Sequence, residues 1–433
     1  MEVVKRVGTR VRTAAEQTVT RRHKPDYQIA LYMGLLMMLG LIIMYAIGPQ
    51  RANVLNTAHG TDFYTSTYFF VKQTVSLLLA LGAFFAMAVI PYGVVKKYAT
   101  KILIVGFVAC AVLALAGWIG LGIAQCSNGA CRWFDLGPLG SLQVAEILKF
   151  GMLAFGAGFL GMRAKQGLIS DLHRTLIPFG VVILVAIIFV IGIQKDMGTG
   201  ISLIAILASM MMVGGVSKKI GGVLLGAAVA VGLLLVIIAP HRIDRVMTFL
   251  AGDNTSVSDD SNYHIAHAKI AIGSGGILGV GIGNSVQATG YLPEAINDSV
   301  FAIMGETFGF IGLTVILILF TALLLRLLKV TDHLPDIWMK LVAAGVFGWL
   351  ASHVILNVAA MIGVFPLTGI TLPLLSFGGT SMVFIAGALG LAFQLSRYTV
   401  HGSLNKEARY ENPSSRRGIG RSRDAGRSRS SRA

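Results

Sequence analysis

Long apolar runs constrain this chain more than any other feature. They recur from about residue 27 to residue 397, separated by polar turns. Each is about 18–28 residues long, and at roughly 1.5 Å of rise per residue one run crosses a hydrocarbon core of about 30 Å. Backbone inside lipid must satisfy its own polar groups, which rules out open-edged strands as spans. The residues therefore predict an all-α polytopic membrane protein. Ten transmembrane helices are expected, at 27–48, 67–92, 97–122, 142–162, 175–193, 198–216, 220–240, 299–328, 338–364 and 373–396. Only 13% of residues are charged, against about 25% in soluble domains.

The basic residues orient these spans, because Lys and Arg are retained on the cytoplasmic side. They gather in the N-terminal tail (Lys5 to Lys24) and after Arg397. They also fall in alternate loops: Lys96, Lys97 and Lys101; Arg163, Lys165 and Arg174; Lys218 and Lys219; Arg326, Lys329 and Lys340. That alternation puts both termini in the cytoplasm. The start is basic and lacks a short apolar run ending at a small-residue site, so no cleavable signal peptide is expected. Residues 1–26 read as a basic cytoplasmic tail, 27–397 as the membrane domain and 398–433 as a disordered Arg/Ser-rich cytoplasmic tail. Such a tail suits nucleic acid or anionic lipid headgroups; a topology anchor on lipid is the simpler reading.

Two outer loops stand out, 123–141 and 241–298; loops of this length usually carry function. The first holds Cys126 and Cys131, either bridged or as two thiols. The second contains an acidic stretch (Asp253 to Ser261), an expected interfacial helix (Tyr263 to Ile272) and a glycine cluster (Gly273 to Gly283). The glycines do not fit a nucleotide-binding fingerprint and follow no strand. They are expected to turn the chain close to the membrane and to let it move. His264 and His267 share a helix face, but two histidines without a third ligand are a weak metal signal.

A charge within a span costs about 2.5–3.5 kcal/mol on insertion scales, so ionisable residues there are informative. Glu146 and Lys149 lie three apart in the fourth span, on one face, where they can pair. Asp196 sits between the fifth and sixth spans, and Glu306 about two turns into the eighth. Each can serve chemistry or simply tie helices together. Asp298, where the large loop enters the eighth span, reads equally as a catalytic base or a helix N-cap. Glu294, after Pro293, can stabilise a helix start through the dipole.

Several blocks together resemble a known family. These are Gly283-Asn-Ser-Val-Gln287, Tyr291-Leu-Pro-Glu-Ala295 and Asn297-Asp298-Ser-Val-Phe301 through Glu306; Arg132-Trp133 with Gln143, Glu146 and Lys149; Gln194-Lys-Asp196-Met-Gly198-Thr199; and Asn357, Pro366, Gly369, Leu372-Pro373 and Ser376-Phe-Gly378-Gly379-Thr-Ser381. In order and spacing they resemble the SEDS glycosyltransferases, the FtsW and RodA proteins of bacterial division and elongation. The Asn-Ser-Val-Gln run resembles the division branch. Around the aspartate the family usually reads His-Thr-Asp-Phe, where this chain has Ile296-Asn297-Asp298-Ser299, and His353 stands where Gln is common.

The resemblance implies a peptidoglycan glycosyltransferase of the bacterial cytoplasmic membrane, at the septum in the division branch. Such an enzyme polymerises lipid II into β-1,4 glycan beside a class B penicillin-binding protein. It places the catalytic aspartate on Asp298. Substrate-binding residues are expected at Arg132, Lys149, Glu146, Asp196, Glu294, Glu306, Arg242 and Ser376, with Arg245 a further cation for the pyrophosphate. No dedicated metal site is read; a divalent cation, Mg or Mn, could accompany the pyrophosphate. No nucleic-acid partner is expected. A lipid-linked precursor flippase and a non-catalytic divisome scaffold are the rival classes; neither would depend on Asp298 for chemistry.

Overall fold

In a computed structural model of the chain, residues 23–127, 130–137, 140–237 and 260–400 are described. The described residues up to Thr399 belong to one compact unit. The Arg/Ser tail, the basic tail up to residue 22 and the acidic stretch at 253–259 lie outside the described residues.

The apolar runs form helices: α1 (Tyr27–His59), α2 (Tyr68–Val89), α3 (Tyr92–Ile119), α4 (Val144–Lys165), α5 (Leu172–Ile193), α6 (Met197–Gly214), α7 (Lys218–Ile237), α8 (Asp260–Ser274), α9 (Val300–His333), α10 (Ile337–Met361) and α11 (Gly379–Leu395). Nine of these, all but α7 and α8, are long and apolar enough to cross a membrane, among the described residues. α7 occupies the seventh predicted span; residues 238–240 of that span lie outside the described residues.

The core sits on α4, α10 and α11. In the most apolar stretch of α10, 78% of residues are buried, against 22% in α2, so α10 is central and α2 peripheral. α4 packs along α3, α10 along α6 and α11 along α2. Glycines bring the α3 and α4 backbones into contact. A Cβ on Gly106 would stand 2.9 Å from Leu148 Cα, and one on Gly151 2.8 Å from Leu103 Cα. Small residues serve this purpose in membranes, where apolar side chains gain little by leaving lipid.

Contacts also gather the helix ends that carry the basic clusters. Arg326 near the end of α9 pairs with Asp26 before α1, the Asp26 N–H donates to Ser396, and Lys165 at the end of α4 pairs with Asp336 before α10.

Three features depart from the expectations. The loop at 123–141, read as part of an all-α chain, folds into a three-stranded antiparallel sheet: β1 (Ala124–Ser127), β2 (Ala130–Asp135) and β3 (Ser141–Gln143). The objection to strands holds only where edges face lipid, and this sheet lies in a connection between helices. Cys126 and Cys131 are opposite partners in the β1–β2 register and form a disulfide, resolving the alternative left open by the sequence. It packs on Gly117 of α3, where a Cβ would sit 2.3 Å from Cys131 Sγ.

Second, α8 spans the expected interfacial helix but packs against α9, with Ala268 and Ala271 fully buried. Third, the glycine cluster is laced into a break in α9. Gly309 adopts φ 67°, ψ −167°, which interrupts the helix and is open chiefly to glycine. The orphaned backbone groups are captured by the loop. Val280 and Gly281 N–H groups donate to the Glu306 and Thr307 carbonyls (2.9 and 3.1 Å), while Phe310 and Ile311 donate to the Gly276 and Ile277 carbonyls (2.9 and 3.2 Å). Irregular backbone in such a helix persists only when its polar groups are satisfied by protein. A Cβ at Gly279 would lie 2.2 Å from the Thr307 oxygen. The glycines thus permit close backbone-to-backbone docking of the loop onto α9.

Candidate active site

Asp298 stands in a turn immediately before α9, its side chain half-buried. The segment that carries it is anchored by apolar residues: Leu292, Ala295 and Ile296 are buried, while Glu294 is exposed. Glu294 takes the left-handed backbone conformation (φ 49°) and its carbonyl accepts from the N–H groups of Asn297 (2.9 Å) and Ser299 (3.3 Å). Its carboxylate accepts from the Asn297 amide. Glu294 therefore closes the turn that presents Asp298, and starts no helix.

Two other elements grip the same turn. Asn357 Nδ2 on α10 donates to the carbonyls of Asp298 and Ile370, both at 2.7 Å. The Phe377 N–H donates to the Ile296 carbonyl at 2.8 Å. The N-cap position of α9 belongs to Ser299, not Asp298, and the Ser299 hydroxyl bonds the Pro293 carbonyl instead of a helix N–H. Ser376 is buried in the adjoining turn, where its hydroxyl accepts from the Leu372 N–H (2.8 Å) and its carbonyl from Gln73 (3.3 Å). It shapes the loop that Phe377 brings to Ile296.

Glu306 is 2% exposed, and its carboxylate accepts from the Ser285 hydroxyl, the Val286 N–H (2.9 Å) and the Gln287 N–H (3.2 Å). Three donors offset the desolvation of a buried carboxylate. The Asn-Ser-Val-Gln block is thus an anion nest closed by a glutamate of α9, which fixes the start of the Asp298 segment.

A second polar group lies between α4 and α10. Lys149 Nζ is 2.8 Å from Glu146 Oε1 and 3.2 Å from His353 Nε2, and stands 4.8 Å from the centroid of the Trp349 ring. Lys149 and Glu146 are 0% and 1% exposed. The pairing read from the i,i+3 spacing is present; His353 and Trp349 as its further partners were missed. One turn along α10 from His353 is Asn357, so the residues through which α10 meets the Lys149 group and the Asp298 turn stand about 6 Å apart along the helix axis.

A third group joins the sheet to the α5–α6 turn. Arg132 on β2 donates from Nε to the Gln194 carbonyl (3.1 Å) and from Nη2 to the Lys195 carbonyl (2.8 Å). Lys195 has φ 54°. Asp196 N-caps α6, accepting from the Thr199 N–H (2.9 Å) and hydroxyl (2.8 Å), and also accepts from Gln143 Nε2 (3.0 Å). Asp196 and Arg132 thus both hold elements together. Arg242 and Arg245 lie outside the described residues.

Among the described residues no three His, Cys, Asp or Glu side chains converge to hold a metal. His264 and His267 bond Ser299 and Gln287 instead. What sequence reasoning missed is mostly contact between a side chain and distant backbone, which leaves no spacing to read. One signal was available: His353 and Asn357, four apart, share a face of α10.

A family model described as a cell cycle protein, FtsW/RodA/SpoVE, matches residues 27–401. The chain is 31% identical over 383 residues to the stage V sporulation protein E of Bacillus subtilis, covering 88% of this chain and 99% of that one. It is 31% identical over 396 residues to a Halorhodospira halophila protein named "Probable peptidoglycan glycosyltransferase FtsW", covering 88% and 94%. Among solved structures it resembles a chain of a peptidoglycan synthase complex that coordinates polymerisation and crosslinking, with TM-score 0.65, 23% identity and coverage of 86% and 98%. It also resembles the crystal structure of the rod-shape-determining protein RodA of Thermus thermophilus, with TM-score 0.61, 23% identity and coverage of 87% and 98%.

Proposed function

This chain belongs to the FtsW/RodA/SpoVE family of multi-pass membrane proteins, and from that premise we propose that it polymerises lipid II into β-1,4 glycan at the outer face of the cytoplasmic membrane. The observation that carries the reading is Asp298: half-buried, at the junction of the large loop and α9, with its backbone held by Asn357. Asp298 is the general base. It takes the proton of the acceptor sugar's 4-hydroxyl as that oxygen bonds the donor's anomeric carbon. The bond from that carbon to the pyrophosphate breaks, inverting an α-linked donor to a β-linked product and releasing the lipid pyrophosphate. A positioned base contributes about 10²–10⁴-fold.

Charge develops on the leaving pyrophosphate and needs donors. Lys149, ion-paired with Glu146, and the remaining N–H groups of Arg132 are the candidate cations. A divalent cation, Mg or Mn, would arrive with the pyrophosphate rather than reside on the protein. Both termini are cytoplasmic in this reading, which the gathered basic clusters support. A class B penicillin-binding protein is the partner that crosslinks the product, and the Asn284-Ser-Val-Gln287 run favours septal synthesis over elongation.

The test is a polymerisation assay on purified wild type and Asp298→Asn, with and without a cognate class B penicillin-binding protein, using labelled lipid II. A glycan ladder from wild type and none from the variant is the expected result. A ladder from both retains the polymerase and moves the base elsewhere. No ladder from either, with lipid II translocated in liposomes, selects the flippase.

A further inference from the structure

α8 grips both ends of the segment that carries Asp298, and it does so with two histidines on one face. His264 Nε2 lies 2.6 Å from the Ser299 hydroxyl, which itself donates to the Pro293 carbonyl at 2.7 Å. A hydroxyl has one proton to give. With that proton on Pro293, the first contact must run from an Nε2–H of His264 to the hydroxyl's lone pair. Ser299 is fully buried, is the N-cap residue of α9 and follows Asp298 directly. At the other end, His267 Nδ1 is 2.7 Å from Gln287 Oε1, an acceptor, so here Nδ1 donates. Gln287 is also the residue whose backbone N–H is taken by Glu306. The His267 ring is lined by Tyr263 and Tyr291, at centroid distances of 4.1 and 6.1 Å.

We propose that His264 is a positioning residue for Asp298, and that His267 secures the far end of the same segment. The inference rests on Asp298 as the base. Asn357 fixes the Asp298 carbonyl from α10, and His264 fixes the next residue from α8, so the carboxylate departs from a backbone held by two separate helices. The two imidazoles donate from different nitrogens, and this separates their conservative replacements. A glutamine amide reaches about as far as Nε2, and an asparagine amide about as far as Nδ1. His264→Gln and His267→Asn keep the donors; His264→Leu and His267→Leu remove them.

The experiment measures initial rates of lipid II polymerisation against lipid II concentration for wild type, His264→Gln, His264→Leu and Ser299→Ala, with Asp298→Asn beside them. A base displaced by about 1 Å loses up to about 10²-fold. His264→Leu is expected to lower kcat about 10–100-fold with KM little changed, and His264→Gln to recover most of that loss. The pair of His264→Leu with Ser299→Ala should cost no more than the worse single change, because both remove one contact. Should His264→Leu not fold, Ser299→Ala alone removes the same contact from the other side; it is expected to lower kcat with KM little changed, and wild-type kcat in it would overturn the proposal. Wild-type kcat in His264→Leu, no recovery in His264→Gln, or additive losses in the pair would overturn the proposal. An inactive Asp298→Asn beside an unimpaired His264→Leu sinks the positioning role alone, whereas an active Asp298→Asn sinks the base assignment.

Discussion

The Lys149 cluster and the Asp298 turn are held in opposite ways. In the first, side chain meets side chain: an ammonium between a carboxylate and an imidazole, closed off by an indole. In the second, side chains meet backbone. Asn357 takes a carbonyl, Glu306 takes N–H groups, and the glycine loop replaces the missing rungs of α9. The difference follows from location. Between α4 and α10 the backbone is already paired within each helix, so the buried charges of the cluster are met by other side chains. In the loop the backbone is what needs partners, and each one supplied also fixes geometry. The cluster therefore bears mainly on stability, and the turn mainly on where a reacting group sits.

The largest effect expected of this contrast is at Lys149. Lys149→Met strips the only ion-pair partner shown for Glu146 and leaves a carboxylate buried. Breaking a buried pair in this way costs roughly 3–5 kcal/mol. A steep drop in apparent melting temperature in detergent is expected. Adding Glu146→Gln should restore much of it without restoring polymerisation. If Lys149→Met melts like wild type, the cluster is not the stabilising half of the comparison.

Glu306→Gln comes next. The amide keeps one acceptor oxygen but loses the charge that strengthens its bonds, each worth about 1.5–3 kcal/mol when ionic. Its amide nitrogen also faces N–H donors. The damage should be local: faster hydrogen exchange at 276–287 and a lower kcat, with the α4–α10 core unchanged. Uniform loosening of the whole bundle would show that the turn and the core are one cooperative unit.

The same contrast explains what could be read from the sequence. The helices were legible because lipid demands length and apolarity, and both are counted directly. Glu146 with Lys149 was legible because a helix turns fixed spacing into contact. Asp298 was singled out by position and by family resemblance, yet its holders were not seen. Asn357 is 59 residues away along the chain, and its partner is a carbonyl that any residue would present. The break at Gly309 was hidden for the same reason: one glycine among many shows no φ. The β-sheet at 124–143 escaped because its strands are three to six residues long and shorter than any periodicity can establish. The capping and turn-forming contacts of Asp196 and Ser376 also left no spacing to read, although their residue types make such contacts in many proteins.

The smallest effect is expected at His353, and it probes the contrast most finely. If the cluster needs only an acceptor for Lys149, the identity of that acceptor is secondary. His353→Gln offers a carbonyl oxygen about where Nε2 now lies, so Lys149 keeps two partners and the helix packing changes little. A stability change within about 1 kcal/mol is expected, the worth of an ordinary hydrogen bond. His353→Leu fills similar space but presents no lone pair to a buried ammonium, and should cost distinctly more. Apparent melting temperatures of the two variants, measured side by side in one detergent, decide the matter. Equal losses would mean that the imidazole ring, through its packing between α4 and α10, matters more than the bond to Lys149. In that case the cluster is shaped by its apolar walls, and the line drawn between a charge-held core and a backbone-held turn would have to be redrawn at Trp349.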